Sequence, residues 1–244
     1  MLEAAKSRSF DAVFSRYNTS YLLRRHFRFI GLSGDLQPAS AGSRPVLYIM
    51  NHSSWWDGLL AYHAARMQTR RRQYFMMEEA QLRKFQFFRR LGAYSINRDE
   101  PADVRASLRY TARLLGEGGS VWMYPEGELL PLEHRPLQLK EGAAVVLRLC
   151  PDAAVVPVTL YHGLFFHPKP EATLLAGEPL LQPWKELDRS GISALLASCL
   201  QEQLDRHRQL ILEHKGHMPS CFTPLIKTGG SVHERYDAWR RGSR

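Results

Sequence analysis

The sequence predicts an α/β fold: a mixed, largely parallel sheet flanked by helices and preceded by a basic amphipathic helix. Three observations predict it. Short apolar, β-rich runs alternate with longer stretches whose apolar residues recur every three or four positions, the pattern of strands and helices taken in turn. The chain has 244 residues, enough for one α/β domain or a domain with a small appendage. Its hydrophobic content of 44% is ordinary for a protein with a true core.

The elements follow in order. Residues 9–32 carry Phe10, Phe14, Tyr17, Tyr21 and Phe27 with Arg16, Arg24, Arg25 and Arg28 between them. This predicts one basic amphipathic helix or two short ones. Its aromatic face either packs on the domain or lies at a lipid headgroup surface with arginines on phosphate. Residues 31–44 are rich in Gly, Ser, Pro and Ala and read as a loop. The apolar run 45–50 is the first core strand. Residues 58–62 begin a helix with Asp57 at or near its N-cap. A strand at 73–77 precedes a helix at 79–90. Gly92–Arg98 is strand-like and ends on a cation.

A helix follows over 101–116, with Pro101 early and Gly116, Gly118 and Gly119 at its end. Residues 120–124 form a strand closed by the turn Pro125-Glu126-Gly127. A helix at 140–149 and a strand at 154–160 come next, then a hairpin or edge strand within 171–180. Ile192, Leu196, Leu200, Leu204 and Ile211 mark a long C-terminal helix packed on the core. The chain therefore divides into an N-terminal helical element (1–35), a main α/β domain (36–215) and a loosely packed basic tail (216–244), which ends Arg240-Arg241-Gly242-Ser243-Arg244.

The stretch His52-Ser53-Ser54-Trp55-Trp56-Asp57 is the most informative. It places an imidazole and a carboxylate five positions apart, just where a strand breaks. A carboxylate fixes the tautomer of a neighbouring imidazole and stabilises its protonated form, which leaves the other ring nitrogen as a general base. Taken alone the pattern is weak, because a strand-end histidine is as readily satisfied by backbone. Three further blocks lie downstream: Gly92-Ala93-Tyr94-Ser95-Ile96-Asn97-Arg98, Tyr124-Pro125-Glu126-Gly127-Glu128 and Val155-Val156-Pro157-Val158.

With Asn51-His52-x4-Asp57 in front, the four blocks over about residues 40–180 resemble the glycerolipid acyltransferase superfamily, the PlsC-like lysophospholipid and glycerol-phosphate acyltransferases. The resemblance implies a glycerol-phosphate-acyltransferase-like fold and transfer of an acyl group from a thioester, acyl-CoA or acyl carrier protein, to a lipid hydroxyl. It implies His52 as general base, Asp57 as its orienting partner, and an acceptor site lined by Arg98, Glu126 and Gly127, with Arg98 on phosphate. Independent chemistry agrees for Arg98, since a guanidinium binds phosphate through two parallel hydrogen bonds. A carboxylate at Glu126 can accept from acceptor hydroxyls or orient a basic neighbour. Trp55 and Trp56 line the acyl channel, stack on a sugar or adenine ring, or serve as core aromatics, with one of the two partly exposed.

One block departs from the family pattern. Phe-Pro-Glu-Gly-Thr-Arg-Ser is usual, and here Tyr124-Pro125-Glu126-Gly127-Glu128-Leu129-Leu130 stands instead. A phosphate-binding arginine is missing and Glu128 repels an anion. A glycolipid or other hydroxylated lipid becomes a plausible acceptor beside a phosphomonoester. Lys140, in Lys140-Glu141-Gly142, is the preferred replacement cation, with Arg135 the alternative.

The net charge of +9 suits an anionic partner: a membrane surface, a CoA-type substrate or nucleic acid. Nucleic acid is disfavoured for want of a zinc pattern, RNA-recognition aromatics or a helix-turn-helix. A metal is not expected, because His162 and His167 stand isolated in an apolar segment and lack ligand spacing. No cofactor beyond the acyl donor is expected, and no oligomeric state is assigned. The three cysteines, Cys150, Cys199 and Cys221, show no metal spacing and fit a reducing compartment. Without an apolar leader or an 18-residue apolar run, the expected location is cytoplasmic, peripheral on the inner face of the membrane. The competing reading is a catalytically idle lipid-binding relative.

Overall fold

A computed structural model describes residues 1–228 together with Tyr236, Trp239 and Arg240. Helix α1 (Arg8–Tyr17) continues through a π-helical turn (Asn18–Leu23) into the short α2 (Arg24–His26). Then come β1 (Phe29–Ser33), β2 (Val46–Met50), α3 (Asp57–Gln68), β3 (Gln73–Glu78), α4 (Glu79–Lys84), β4 (Ala93–Ile96) and α5 (Pro101–Gly116). The chain continues with β5 (Ser120–Met123), α6 (Gly142–Leu149), β6 (Ala154–Gly163), β7 (Glu171–Ala176), α7 (Arg189–Glu213) and β8 (Thr223–Lys227).

All eight strands join one sheet in the order β4-β3-β5-β2-β6-β7-β1-β8. Strands β4, β3, β5, β2 and β6 run parallel to one another. The antiparallel pairs are β6–β7 and β1–β8. Central β2 is buried at all five positions, which explains its unbroken apolar run. Alternate side chains serve opposite layers. Val46, Tyr48 and Met50 pack with Leu60, Ala61 and Ala64 of α3. Leu47 and Ile49 pack with Leu108 of α5, Val146 of α6 and Ile192 of α7.

Several elements differ from the sequence reading. Phe29 and Ile30, expected on a helix, lie in β1, which pairs with β7 and β8 rather than leading into a loop. Strand β7 is consequently interior and not an edge. The expected helix at 79–90 breaks at Phe85 into α4 and a 3-10 segment, Gln86–Leu91. There Phe87 and Phe88 pack on Phe14. Gly92 ends the segment at φ 107, where a Cβ would sit 2.6 Å from the Gln73 carbonyl oxygen; only glycine meets both demands cheaply. The tail is not uniformly loose, because β8 supplies the sheet's last strand and Ile226 is buried in the main core. Pro224 sits in that edge strand, a position that tolerates proline. Arg241 to Arg244, the basic end expected of the tail, lie outside the described residues.

The N-terminal helix is amphipathic, and its aromatic face packs on the domain. Phe14 meets Tyr62 edge-on at 5.6 Å, and Tyr62 donates to Asp11. A second face remains exposed, with Val13, Tyr17 and Tyr21. Tyr17 stacks on Tyr21 at 5.3 Å, and the Arg25 guanidinium lies over Tyr21.

If residues 223–227 are part of the folded core, Ile226→Ala lowers the unfolding free energy by about 2–5 kcal/mol. Urea denaturation measures this. A loss under about 0.5 kcal/mol, usual for a surface position, would return the segment to the tail.

Candidate active site

His52 and Asp57, Arg98, and Glu126 and Gly127 follow the ends of β2, β4 and β5, at the carboxyl edge where open α/β sheets hold their ligands. The construction starts at Asn51. It is buried, and its side chain accepts the Leu160 N–H at 2.8 Å and donates to the Leu160 carbonyl at 3.0 Å. A side chain thus completes the β2–β6 ladder, and the main chain can turn over the sheet edge at His52. Both backbone groups of His52 are tied down. Its N–H donates to Glu126 Oε2 at 2.7 Å, and its carbonyl accepts the Leu130 N–H at 2.8 Å.

Residues 53–56 wrap around the Asp57 carboxylate. Asp57 Oδ2 accepts from the N–H groups of Ser53 (2.7 Å) and Ser54 (2.9 Å) and from His52 Nδ1 (2.8 Å). Asp57 Oδ1 pairs with His162 Nε2 at 3.0 Å. The side chain is fully buried. Asp57 is the first residue of α3, after Trp56 at the N-cap, and its side chain caps none of that helix's N–H groups. It closes the loop before the helix, while its charge still faces the favourable end of the helix dipole.

Burial pushes the Asp57 carboxyl up. Hydrogen bonds from His162 and His52, the charge of His162 and the Ser54 N–H pull it down, and the result lies below the ordinary value. Asp57 is therefore an anion that only accepts. A proton of each contacting imidazole must point at it, so His52 carries a hydrogen on Nδ1, and the lone pair of its neutral form is the one on Nε2. Nε2 has no hydrogen-bond partner among the described residues, and the His52 side chain is 27% exposed. The His52 ring stacks on Tyr124 at 4.4 Å. The Tyr124 hydroxyl is buried without a partner, and burial followed by the nearby Asp57 charge pushes it well above its ordinary value.

Glu126 is 3% exposed and faces the His52 backbone rather than the open edge. Burial pushes its carboxyl up, opposed by the His52 N–H bond. Gly127 turns the chain outward at φ 77. A Cβ there would meet Lys140 Cγ at 3.2 Å and Arg98 Nη1 at 3.8 Å, so both cations flank this glycine. Arg98 Nη1 donates to the Gly127 carbonyl, and its Nε donates to Glu78 Oε2 at 2.7 Å. The Lys140 N–H donates to the Pro125 carbonyl at 2.8 Å, and its side chain is exposed. Arg135 is committed elsewhere, to Asp205 at 2.7 Å and to the carbonyls of Leu132 and His134. Trp55 is 63% exposed. Trp56 is half-buried and packs edge-on against Phe27 at 5.2 Å.

The structure thus brings together His52, Asp57, Glu126, Gly127, Arg98 and Lys140, with Trp55 and Trp56 on the same loop. Sequence reasoning missed Asn51 as a ladder residue, Glu78 as the partner of Arg98, and His162. Far from isolated, His162 meets the buried carboxylate. A signal was present, since His162 continues the alternation Val156, Val158, Leu160 that faces α3. A hollow of about 480 Å³ lined by Arg44, Asp152 and Trp184 opens at the opposite, amino-terminal end of β2 and β6; no candidate residue lines it.

An α/β sheet presenting a carboxylate-held imidazole at its carboxyl edge, beside two cations, is an arrangement with the parts that general-base transfer or hydrolysis requires. The family comparison is more specific. The model of the Acyltransferase family matches residues 31–161, more than half of the chain and all four blocks. The chain belongs to this family, and so to the glycerolipid acyltransferase superfamily that its blocks resemble. Among solved structures it is similar to the 1-acyl-sn-glycerophosphate (LPA) acyltransferase PlsC of Thermotoga maritima. That match has a TM-score of 0.54 and 17% identity over 81% of this chain and 93% of that one; the likeness shows a shared fold. No curated protein matches the chain.

Glu126→Gln keeps an acceptor for the His52 N–H and removes a charge that burial disfavours. The folded protein binds the Glu126 proton more tightly than the unfolded chain, so the ionised carboxyl costs stability above its raised value. Glu126→Gln should melt no lower than the parent at pH 8. Glu126→Ala strands a buried N–H and costs about 1–3 kcal/mol. Thermal denaturation of both compares them, and equal losses would show that the hydrogen bond does not matter.

Proposed function

We propose that this protein is an O-acyltransferase that moves a fatty acyl group from an acyl thioester to a hydroxyl of a lysophospholipid, glycerol-phosphate or related lipid. The observation that carries the reading is the His52–Asp57 pair, with Nδ1 held by a buried anion and Nε2 open at the sheet edge. A lipid hydroxyl resists deprotonation at neutral pH and needs a base as it attacks. In this mechanism His52 Nε2 takes the hydroxyl proton while the oxygen bonds to the thioester carbonyl carbon. The carbonyl π pair moves onto oxygen, then returns as the carbon–sulfur bond breaks. The thiolate leaves and recovers the proton from the imidazolium. An ester and a free thiol result, and no covalent enzyme intermediate is needed. Asp57 holds the ring and offsets the charge it gains. Glu126 fixes the His52 backbone and so acts as a positioning residue rather than a lipid contact.

Arg98, Lys140 and Gly127 form the acceptor's polar end in this reading. Glu78 on Arg98, and exposed Glu128 close by in the chain, weaken the cationic field there. This favours an acceptor with fewer charges or with hydroxyls beside its phosphate. The donor is acyl-CoA or acyl carrier protein. The T. maritima neighbour is an acyltransferase for 1-acyl-sn-glycerophosphate, which makes that lipid the first acceptor to test.

Among the described residues no helix is long and apolar enough to cross a membrane. The proposed arrangement is peripheral, with the site edge against the inner leaflet. Trp55 and, beyond β6, Leu164 and Phe166 are exposed and offer apolar contact. Arg24 and Arg25 offer charge for anionic headgroups.

The test is transfer of a labelled acyl chain from acyl-CoA or acyl carrier protein to lysophosphatidate, other lysophospholipids and glycolipids on vesicles. His52→Ala should lose roughly 100-fold or more in kcat. Product unaffected by this change would sink the mechanism. No product with any donor or acceptor, vesicle binding being retained, would leave an idle lipid-binding relative.

A second expectation concerns the cations. Arg98→Gln and Lys140→Gln should each raise KM for a phosphorylated acceptor roughly 5- to 150-fold, the range for losing a charged hydrogen bond of about 1–3 kcal/mol. They should hardly alter KM for an uncharged one. Unchanged KM for both acceptors would remove these residues from the acceptor site.

A further inference from the structure

Asp57 is held from two sides, and only one belongs to the His52 loop. Oδ2 takes three hydrogen bonds from residues 52–54, whereas Oδ1 takes one, from His162 Nε2 at 3.0 Å. The His162 side chain is 18% exposed, and Asp57 is fully buried. His162 stands on a rigid support. Strand β6 runs past the end of β2, whose last partner is Val158, and stays paired with β7 through His162↔Ala172 and Gly163↔Glu171. Strand alternation turns Val156, Val158, Leu160 and His162 toward α3, and the first three are buried in the core cluster with Leu60 and Ala61. The ring of Phe27 lies 6.5 Å from the imidazole.

We propose that His162 is a positioning residue for acyl transfer, locking the Asp57 carboxylate plane so that Oδ2 stays aligned with His52 Nδ1. A carboxylate bound through one oxygen alone can turn about Cβ–Cγ, and a buried oxygen without a donor is unfavourable. With Oδ1 fixed by β6 and Oδ2 by the loop, that rotation is closed. The His52 tautomer then depends on a residue more than a hundred positions away. The kinetic consequence rests on the acyl-transfer reading; the effect on the His52 ring does not.

The experiment uses the full chain and three variants. His162→Phe keeps a ring and loses the donor. His162→Gln places an amide nitrogen where Nε2 lies, and His162→Asn places one only as far out as Nδ1, too short to reach Oδ1. Long-range ¹H–¹⁵N correlations report each imidazole's tautomer, and steady-state kinetics report kcat and KM. In the parent and in His162→Gln, His52 should be a single Nδ1–H tautomer. In His162→Phe and His162→Asn it should become a mixture, kcat should fall roughly 10- to 100-fold, as when outer partners of a held ligand are lost, and KM should change less than about twofold. If His162→Phe fails to fold, the Gln and Asn pair decides. A single His52 tautomer in His162→Asn overturns the proposal. So does a kcat loss equal in the Gln and Asn variants, which marks a packing role. If the parent transfers no acyl group, the functional reading fails and the tautomer measurement still tests His162.

Discussion

The site depends on one buried carboxylate. An Asp57 anion at zero exposure is tolerable only if its oxygens are met by donors, because an unpaired buried charge is among the most costly features a fold can carry. Four donors meet it: two backbone N–H groups of the 53–54 turn, His52 Nδ1 and His162 Nε2. Satisfying the anion therefore shapes the loop, sets the His52 tautomer and draws the end of β6 over the site. In the proposed mechanism, structural need and chemical use coincide. The arrangement that makes Asp57 bearable inside the protein is the one that turns His52 Nε2 away from the anion and toward the surface.

The sheet makes this possible. Parallel neighbours β5 and β6 flank β2, so the segments leaving all three strands emerge at one edge. Each contributes a different kind of group. The β2 segment supplies the His52 imidazole and the Asp57 anion, the β5 segment supplies Glu126 for the His52 N–H, and β6 supplies His162. Asn51 joins the first to the third by replacing a ladder residue with its own amide. Were β2 to continue two residues further as strand, His52 would lie in the ladder and could not turn over the edge.

What could be read from the sequence follows the range of the interactions. His52 and Asp57 were legible because they lie five residues apart on one turn and need no other element to meet. The strands 45–50, 73–77 and 154–160, and the helix 101–116, were legible from apolar run length and periodicity. Strand β1 was not, since Phe27, Phe29 and Ile30 flanked by arginines look helical, and their strand character depends on β7 and β8, both remote in sequence. β8 was hidden by Pro224 and a charged, short segment, features that suit an edge strand. His162 required the β2–β6 register before it could be placed above Asp57. Glu126 was recognised as important, but its inward direction depends on the His52 N–H, which no periodicity reveals.

The charge balance bears on the choice of acceptor. A net charge of +9 suggests a strongly cationic protein, yet the site edge is more nearly neutral than that figure implies. Arg98 is paired with Glu78, and Arg135 with Asp205. Lys140 is exposed beside Gly127, and the acidic Glu128 follows that glycine in the chain. Exposed arginines are spread over the rest of the surface, among them Arg16, Arg24 and Arg25 of the N-terminal helical segment and Arg83, Arg90, Arg105 and Arg109 elsewhere. On the proposed function, two separate demands bear on this distribution. A peripheral enzyme needs long-range attraction to an anionic surface, which distributed arginines supply. A site that must both hold an acceptor and release a product that keeps the same headgroup gains nothing from a field so strong that the product stays bound. In the proposed mechanism, charge outside the site serves to bring the protein to the lipid, and moderated charge inside it permits turnover.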